Sequence, residues 1–201
     1  ALDGDGDQEL VTASENTSSN QGSRILAFHW PSMELMAISD PIGTSGLPVT
    51  KPSDLLVVDV DGNGDDEVVI AVNWNGYART VVYEFIGGAF TLSHLNRNPV
   101  SEAWFRSIDV GDVDADGDLE IVAACGWGEF FFNRAMIIVY DAATGTEEWR
   151  TPIVTPWNLA YASVRLAELD GDPGLEICAV LSDTSVRVYD GRTRALEAEI
   201  P

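Results

Sequence analysis

The stretch "DVDADGDLEIVAA" occupies residues 112–124 and changes abruptly from acidic to apolar. Its aspartates stand at every second position: Asp112, Asp114, Asp116 and Asp118. Like charges this close repel one another, so a folded chain needs something that neutralises them. The β-branched residues that follow are typical of a buried strand. The stretch therefore predicts a charged loop that leads directly into the core.

The same pattern occurs in three other places along the chain. The copies are "ALDGDGDQELVTA" at 1–13, "DVDGNGDDEVVIA" at 59–71 and "ELDGDPGLEICAV" at 168–180. A glutamate ends each acidic half, and the separations between successive glutamates are 58, 53 and 56 residues: Glu9, Glu67, Glu120 and Glu176. A nearly constant period of this length indicates a repeat architecture.

Each full repeat contains four short runs that are rich in Val, Ile and aromatic residues and bounded by Gly, Asp, Asn or Pro. Such runs predict strands, and no stretch keeps an apolar stripe at helical period. Four antiparallel strands per repeat predict an all-β fold, a β-propeller of about four blades. The predicted blades are approximately 1–50, 51–100, 101–158 and 159–201, within a single domain. Because residue 1 falls after the place of its repeat's first strand, we expect part of a larger propeller.

The acidic halves follow the pattern D-x-D-x-[DN]-G-x-x-E, which suits a calcium site. Calcium takes about 6–8 oxygen ligands, and a flexible loop can supply them from positions 1, 3, 5 and 9 and the carbonyl of position 7. Zinc would require His or Cys. An EF-hand would require an acid at position 12, where these loops have Ile70 and Ala123. The alternative is an acidic turn between strands that holds no metal.

These loops resemble the FG-GAP or VCBS repeats of integrin-like β-propellers, in which a D-x-D-x-D-G loop between the first two strands of a blade binds calcium. The resemblance extends over the whole chain at the level of motif and period. It implies structural calcium in the two loops that follow the full pattern, and in at most all four loops. It also implies an extracellular or cell-surface location.

The resemblance assigns ligands residue by residue. The two full loops offer Asp59, Asp61, Asn63, the Asp65 carbonyl and Glu67, and Asp112, Asp114, Asp116, the Asp118 carbonyl and Glu120. The fourth loop departs from the pattern at positions 1 and 6 and offers Glu168, Asp170, Asp172, the Gly174 carbonyl and Glu176. The first loop has Ala1 at position 1 and offers Asp3, Asp5, the Asp7 carbonyl and Glu9.

The charge balance bounds the partners. The formal net charge is −22, from 33 acidic residues against 11 Lys and Arg. Nucleic acids and anionic membrane surfaces both require a basic footprint, so we expect neither as a partner. No apolar run approaches the roughly 18 residues that a membrane-spanning helix needs, so we expect no membrane insertion.

Aromatic residues are concentrated in loops predicted on the propeller face opposite the acidic loops. The candidate ligand-binding residues are Trp74, Tyr77, Trp104, Trp127 and Trp157. Exposed rings of this kind stack on sugars or anchor a protein partner, although large side chains also fill the wedge between blades. Trp30 and Trp149 fall within predicted strands, so we expect both in the core.

These observations predict a calcium-binding module for recognition or adhesion, with a glycan or protein ligand. One alternative is part of a carbohydrate-active enzyme resembling a polysaccharide lyase, with Lys51 or His94 as the base. Another is an architectural repeat that self-associates through exposed blade edges. No nucleophile, phosphate-loop or dinucleotide motif is present.

Overall fold

The computed structural model describes residues 1–15, 22–42, 51–74, 77–97, 104–127, 134–153, 161–181 and 185–201. Within these ranges the chain forms fifteen strands and no helix, so the all-β prediction is confirmed. It follows that the described residues include no helix long and apolar enough to cross a membrane.

The strands are β1 (Glu9–Ser14), β2 (Arg24–His29), β3 (Leu35–Ile38), β4 (Lys51–Val58), β5 (Glu67–Trp74), β6 (Tyr77–Ile86), β7 (Ala89–Arg97), β8 (Trp104–Gly111), β9 (Glu120–Trp127), β10 (Arg134–Asp141), β11 (Glu147–Arg150), β12 (Tyr161–Ala167), β13 (Glu176–Leu181), β14 (Val186–Tyr189) and β15 (Leu196–Ile200). Consecutive strands pair antiparallel and form four separate sheets, which we call blades 1 to 4. Blade 1 contains β1 to β3, and blades 2, 3 and 4 contain β4 to β7, β8 to β11 and β12 to β15. Among the described residues blade 1 has three strands, and its acidic loop directly precedes β1, which corresponds to the second strand of a repeat.

The second strands of blades 2 and 3 are deeply buried. In β5 the residues from Val68 to Val72 have no exposed surface, and the same is true from Ile121 to Cys125 in β9. A strand covered on both faces shows a continuous apolar run rather than alternation. The apolar half of each repeat therefore becomes the inner layer of the core.

The chain divides into two compact units, Ala1–Ser101 and Glu102–Pro201, each with two blades. In the first unit, a buried cluster includes Ile25, Ile70 and Val81. In the second unit, β12 packs against β8 and β9. The buried cluster there includes Val122, Ile137, Val164 and Ile177.

The two strand tryptophans differ from each other. Trp149 packs against the core cluster of the second unit, with its ring centroid 5.8 Å from that of Tyr189. The core prediction for Trp30 is wrong, since 53% of its surface is exposed. Strand β2 ends at His29, and Pro31, which has no N–H to continue a ladder, places Trp30 in the turn that follows.

Candidate metal centres

The four acidic loops each lead directly into a strand of a blade. We call residues 1–9, 59–67, 112–120 and 168–176 metal loops 1 to 4. Loops 2, 3 and 4 connect β4 to β5, β8 to β9 and β12 to β13, and loop 1 leads into β1. A short connection between paired strands holds alternate side chains close together, as the sequence pattern predicts.

Each metal loop brings three carboxylates together, with one oxygen of each within 4.8 Å of the others. Two oxygens bound to one calcium ion at about 2.4 Å can be at most about 4.8 Å apart, so these clusters could hold an ion. The clusters are Asp3, Asp5 and Glu9; Asp59, Asp61 and Glu67; Asp112, Asp114 and Glu120; and Glu168, Asp170 and Glu176. In loop 1, position 1 is Ala1, and the cluster contains Asp5 from position 5 instead.

The glutamate at position 9 also ties each loop to its own backbone. Its Oε2 atom accepts a hydrogen bond from the N–H of position 2 in all four loops: Leu2 at 2.8 Å, Val60 at 2.9 Å, Val113 at 2.7 Å and Leu169 at 2.5 Å. Glu67, Glu120 and Glu176 are at most 2% exposed. The sequence predicts these glutamates as ligands but does not predict this hydrogen bond, whose only sequence signal is the fixed seven-residue spacing of the partners.

The position 5 side chains make a second recurring contact with the backbone. The N–H of position 7 donates to the side chain of position 5 in every loop: Asp7 to Asp5 at 2.8 Å, Asp65 to Asn63 at 2.7 Å, Asp118 to Asp116 at 2.9 Å and Gly174 to Asp172 at 2.8 Å. A metal-free acidic turn makes the same bonds, so these contacts support both interpretations. The ligand roles of Asn63, Asp116 and Asp172, and of the position 7 carbonyls, stay predictions.

Two cluster oxygens are buried and accept no hydrogen bond from the described residues. They are Glu9 Oε1 and Asp114 Oδ1. A buried carboxylate oxygen without a donor is unfavourable by about 1–3 kcal/mol. A cation bound at the cluster would remove this penalty, and an all-oxygen donor set suits a hard ion such as calcium. The residues present therefore fit the metal that the loop pattern implies.

The electrostatics of the two full loops would favour a bound positive charge. Burial raises the pKa of Glu67 to about 7, against the opposing hydrogen bond from Val60, and the nearby Asp61 and Asp59 raise it further. Burial likewise raises the pKa of Glu120 to about 7. A divalent cation at either cluster would favour the ionised form and lower these pKa values.

Metal loop 4 departs from the others in its backbone. Position 6 is glycine in loops 1 to 3, with φ of 87° at Gly6, 97° at Gly64 and 100° at Gly117. Pro173 takes this place in loop 4, and its ring fixes φ near −65°. The carboxylate cluster of loop 4 nevertheless forms, so the departure alters the path of the loop rather than the acidic cluster.

The predicted aromatic face is described in part. Trp104 is 46% exposed, and the guanidinium carbon of Arg106 lies 5.5 Å from its ring centroid. Trp157 and the side chains of Trp74, Tyr77 and Trp127 lie outside the described residues. For these four the ligand-binding role stays a prediction.

A cavity of about 560 Å³ in the first unit was not predicted. It is lined by the exposed Trp30, by apolar residues including Leu10 and Val57, and by polar residues including Gln8 and Asp66. An aromatic ring beside polar groups is typical of small-ligand sites. The Trp-Pro pair that takes Trp30 out of the strand is the sequence signal for this site.

Comparison with known proteins agrees with the fold. Residues 59–123 match the FG-GAP-like repeat. No curated protein matches the chain. Among solved structures, it resembles a europium-containing methanol dehydrogenase (TM-score 0.58, 15% identity, 93% of this chain and 39% of that one) and the exotype rhamnogalacturonan lyase YesX (0.55, 15%, 97% and 46%).

The Dos1 propeller is a third similar structure, with TM-score 0.54 and 16% identity over 89% of this chain and 42% of that one. The chain thus spans less than half the length of each of these three proteins. At such low identity the likeness concerns the fold alone. The chain therefore has a β-propeller fold, and its residues 59–123 match an FG-GAP-like repeat.

Proposed function

We propose that this chain is a calcium-stabilised, extracellular β-propeller module that binds a glycan or protein ligand. The observation that carries the proposal is the acidic cluster in each metal loop, with buried oxygens at Glu9 and Asp114 that accept no hydrogen bond from the part of the chain that the structure describes. Extracellular modules work with calcium affinities of about 10⁻⁴–10⁻³ M, which suits loops this exposed.

The calcium ions would be structural rather than catalytic. Loops 2 and 3 each offer three clustered carboxylates and further oxygens at positions 5 and 7, which leaves little room for a substrate. An ion bound there would neutralise the repulsion within the loop and hold the first strand of the blade to the buried second strand, β4 to β5 in blade 2 and β8 to β9 in blade 3. Because the unfolded chain cannot form the clusters, binding would stabilise the folded state, by about 2.7 kcal/mol per site at a calcium concentration of 100 Kd.

Calcium titration calorimetry tests this role. At pH 8 we expect at least two ions to bind and the thermal midpoint to rise above its value in EDTA. At pH 6 we expect weaker binding with proton release, because Glu67 and Glu120, with pKa values of about 7, must ionise to bind the metal. Titrations in two buffers of different ionisation enthalpy measure the released protons. Absence of binding heat, with equal midpoints in calcium and EDTA, would contradict the proposal.

The recognition role rests on the tryptophans that are open to solvent, Trp30 and Trp104. We expect the protein to bind a glycan on an array in the presence of calcium. Replacing the responsible ring with alanine should weaken binding about tenfold or more, since aromatic anchors dominate such interfaces. Leu92→Ala is a suitable control, because this side chain is similarly exposed at 51% and has no ring. Equal losses in the Trp30→Ala, Trp104→Ala and Leu92→Ala variants would count against aromatic recognition.

The enzyme alternative has weaker support. One similar structure is a rhamnogalacturonan lyase, but this likeness extends only to the fold. Lys51 Nζ lies 3.0 Å from Glu15 Oε1 in an ion pair, and both ring nitrogens of His94 are buried. His94 is therefore closed to a substrate, whereas Lys51 is exposed and engaged by Glu15, so the enzyme alternative has one accessible base.

A further inference from the structure

A positive charge lies directly beside metal loop 3. Arg194, in the turn between β14 and β15, places Nη2 3.3 Å from Asp114 Oδ2 and 3.5 Å from Glu148 Oε2. Its guanidinium carbon lies 5.8 Å from the ring centroid of Trp149. The arginine side chain is only 15% exposed. Blade 4 thus inserts a fixed cation against the acidic cluster of blade 3, within the second unit.

The backbone at this position favours glycine. Arg194 has φ of 64°, and its N–H donates to the carbonyl of Asp190 at 2.9 Å. Gly145 occupies the equivalent place in the turn of blade 3, with φ of 73° and the same hydrogen bond to Asp141. The left-handed conformation is unfavourable for a residue with a side chain. Met33 has φ of 59° and the same hydrogen bond, to His29, in the turn of blade 1, so a side chain is tolerated at this place and the guanidinium contacts distinguish Arg194.

The same turn also packs closely on the backbone of metal loop 3. A Cβ atom built on Gly191 would lie 2.3 Å from the Val113 carbonyl oxygen, so glycine is required for this approach. In the first unit the corresponding turn of blade 2 is Gly87–Gly88, which carries no charged side chain. The turn of blade 4 therefore differs from that of blade 2 in placing a positive charge beside its metal loop neighbour, Asp114.

We propose that Arg194 is a tethered cation that partly neutralises metal loop 3 when calcium is absent. This inference rests on the proposed calcium role of the loop. The guanidinium holds Asp114 by Oδ2, whereas Oδ1, which is buried and accepts no hydrogen bond from the described residues, remains for the ion. Arg194 thereby keeps the empty loop in a folded, binding-competent form.

The tethered cation has opposite effects on stability and on calcium affinity. It attracts the metal-free loop more strongly than the loop whose charge calcium has already reduced. It therefore stabilises the metal-free protein and weakens calcium binding at loop 3. By linkage, calcium at loop 3 loosens the hold of Arg194 on the loop to the same extent.

The test compares calcium affinity and metal-free stability in three variants. Arg194→Gly copies the turn of blade 3, so we expect it to fold. It should bind calcium at one site about threefold to tenfold more tightly at low salt, with a smaller gain at high salt because salt screens the charge. In EDTA it should unfold at a lower denaturant concentration than the wild type. Arg194→Lys should behave like the wild type. Arg187→Ala is the matched control, because it removes an ion pair with Glu199 in the same blade.

The outcomes separate the two proposals. A wild-type protein that binds no calcium contradicts both the calcium role and this inference. Wild-type binding with unchanged or weaker affinity in Arg194→Gly contradicts only the tethered cation, and weaker affinity would indicate that the arginine positions Asp114 for the ion. Asp114→Asn removes a candidate ligand from loop 3. A gain in affinity that persists in this background would belong to another site and would also contradict the tethered cation.

Discussion

Replacing Glu120 with glutamine should stabilise the metal-free protein above pH 7 and destabilise the calcium-loaded protein. Glu120 is 1% exposed, and burial raises its pKa to about 7 from an ordinary value of 4.5. Ionising it in the folded protein at pH 8 therefore costs up to about 3 kcal/mol relative to the unfolded chain. Glutamine has the same shape and can still accept the hydrogen bond that Val113 donates at 2.7 Å.

The sign of the pH dependence follows from the direction of the pKa shift. Between pH 4.5 and about 7 the folded protein holds a proton on Glu120 that the unfolded chain has released. The contribution of Glu120 to the free energy of unfolding of the metal-free wild type should therefore be highest below pH 4.5 and should fall as the pH rises to about 7. In the Glu120→Gln variant this group no longer titrates, so its part of the decrease in the free energy of unfolding should be absent. With calcium bound the order reverses, because a neutral amide is a weaker ligand than a carboxylate.

Chemical denaturation at pH 5 and pH 8, in EDTA and in calcium, measures the reversal. Glu199→Gln serves as a control. This exposed glutamate lies on the outer strand β15 and forms an ion pair with Arg187 of β14. Surface pairs of this kind contribute about 0–1 kcal/mol, so we expect a small change that has the same sign in all conditions. If Glu120→Gln destabilised the protein equally with and without calcium, the buried glutamate would be a structural hydrogen-bond partner and not a metal ligand.

The parts of this structure that the sequence predicts are those encoded locally. The period set by Glu9, Glu67, Glu120 and Glu176 predicts the repeated sheets, because each strand pairs with its neighbour in sequence. The alternate acids predict the clusters, because a nine-residue loop between paired strands leaves its side chains few arrangements. The turn at Trp30 is equally local: the apolar run that precedes it favours a strand, whereas Pro31 marks its end.

The parts that the sequence does not predict join distant residues. Arg194 and Asp114 are 80 residues apart, and nothing in the local sequence of either indicates the other. The approach of Gly191 to Val113 is also a contact between blades. Such contacts depend on how one sheet lies against the next, which the repeat period does not determine. The metal loop is therefore predictable as a motif, whereas its electrostatic environment requires the structure.

The contact between the blade 4 turn and metal loop 3 yields the second large effect, that of Gly191→Ala. A Cβ atom there would lie 2.2 Å from the Leu175 carbonyl oxygen, 2.3 Å from that of Val113 and 3.0 Å from the Val113 Cβ atom. Two of these neighbours are backbone atoms, which cannot rotate away as a flexible side chain can. Forced overpacking typically costs about 1–3 kcal/mol, and we expect a loss at the upper end of this range.

The displaced Val113 carbonyl belongs to metal loop 3, so the same substitution should weaken calcium binding at one site. Gly87→Ala is the appropriate comparison, because Gly87 has φ of 60° and no atom within 4 Å of its built Cβ. That variant carries backbone strain without a clash, so we expect a loss of about 1–2 kcal/mol and unchanged calcium affinity. Denaturation in EDTA and calcium titration of both variants separate strain from clash. Equal losses of stability in the two variants, with calcium binding intact in both, would show that the close approach of Gly191 to Val113 does not affect the loop.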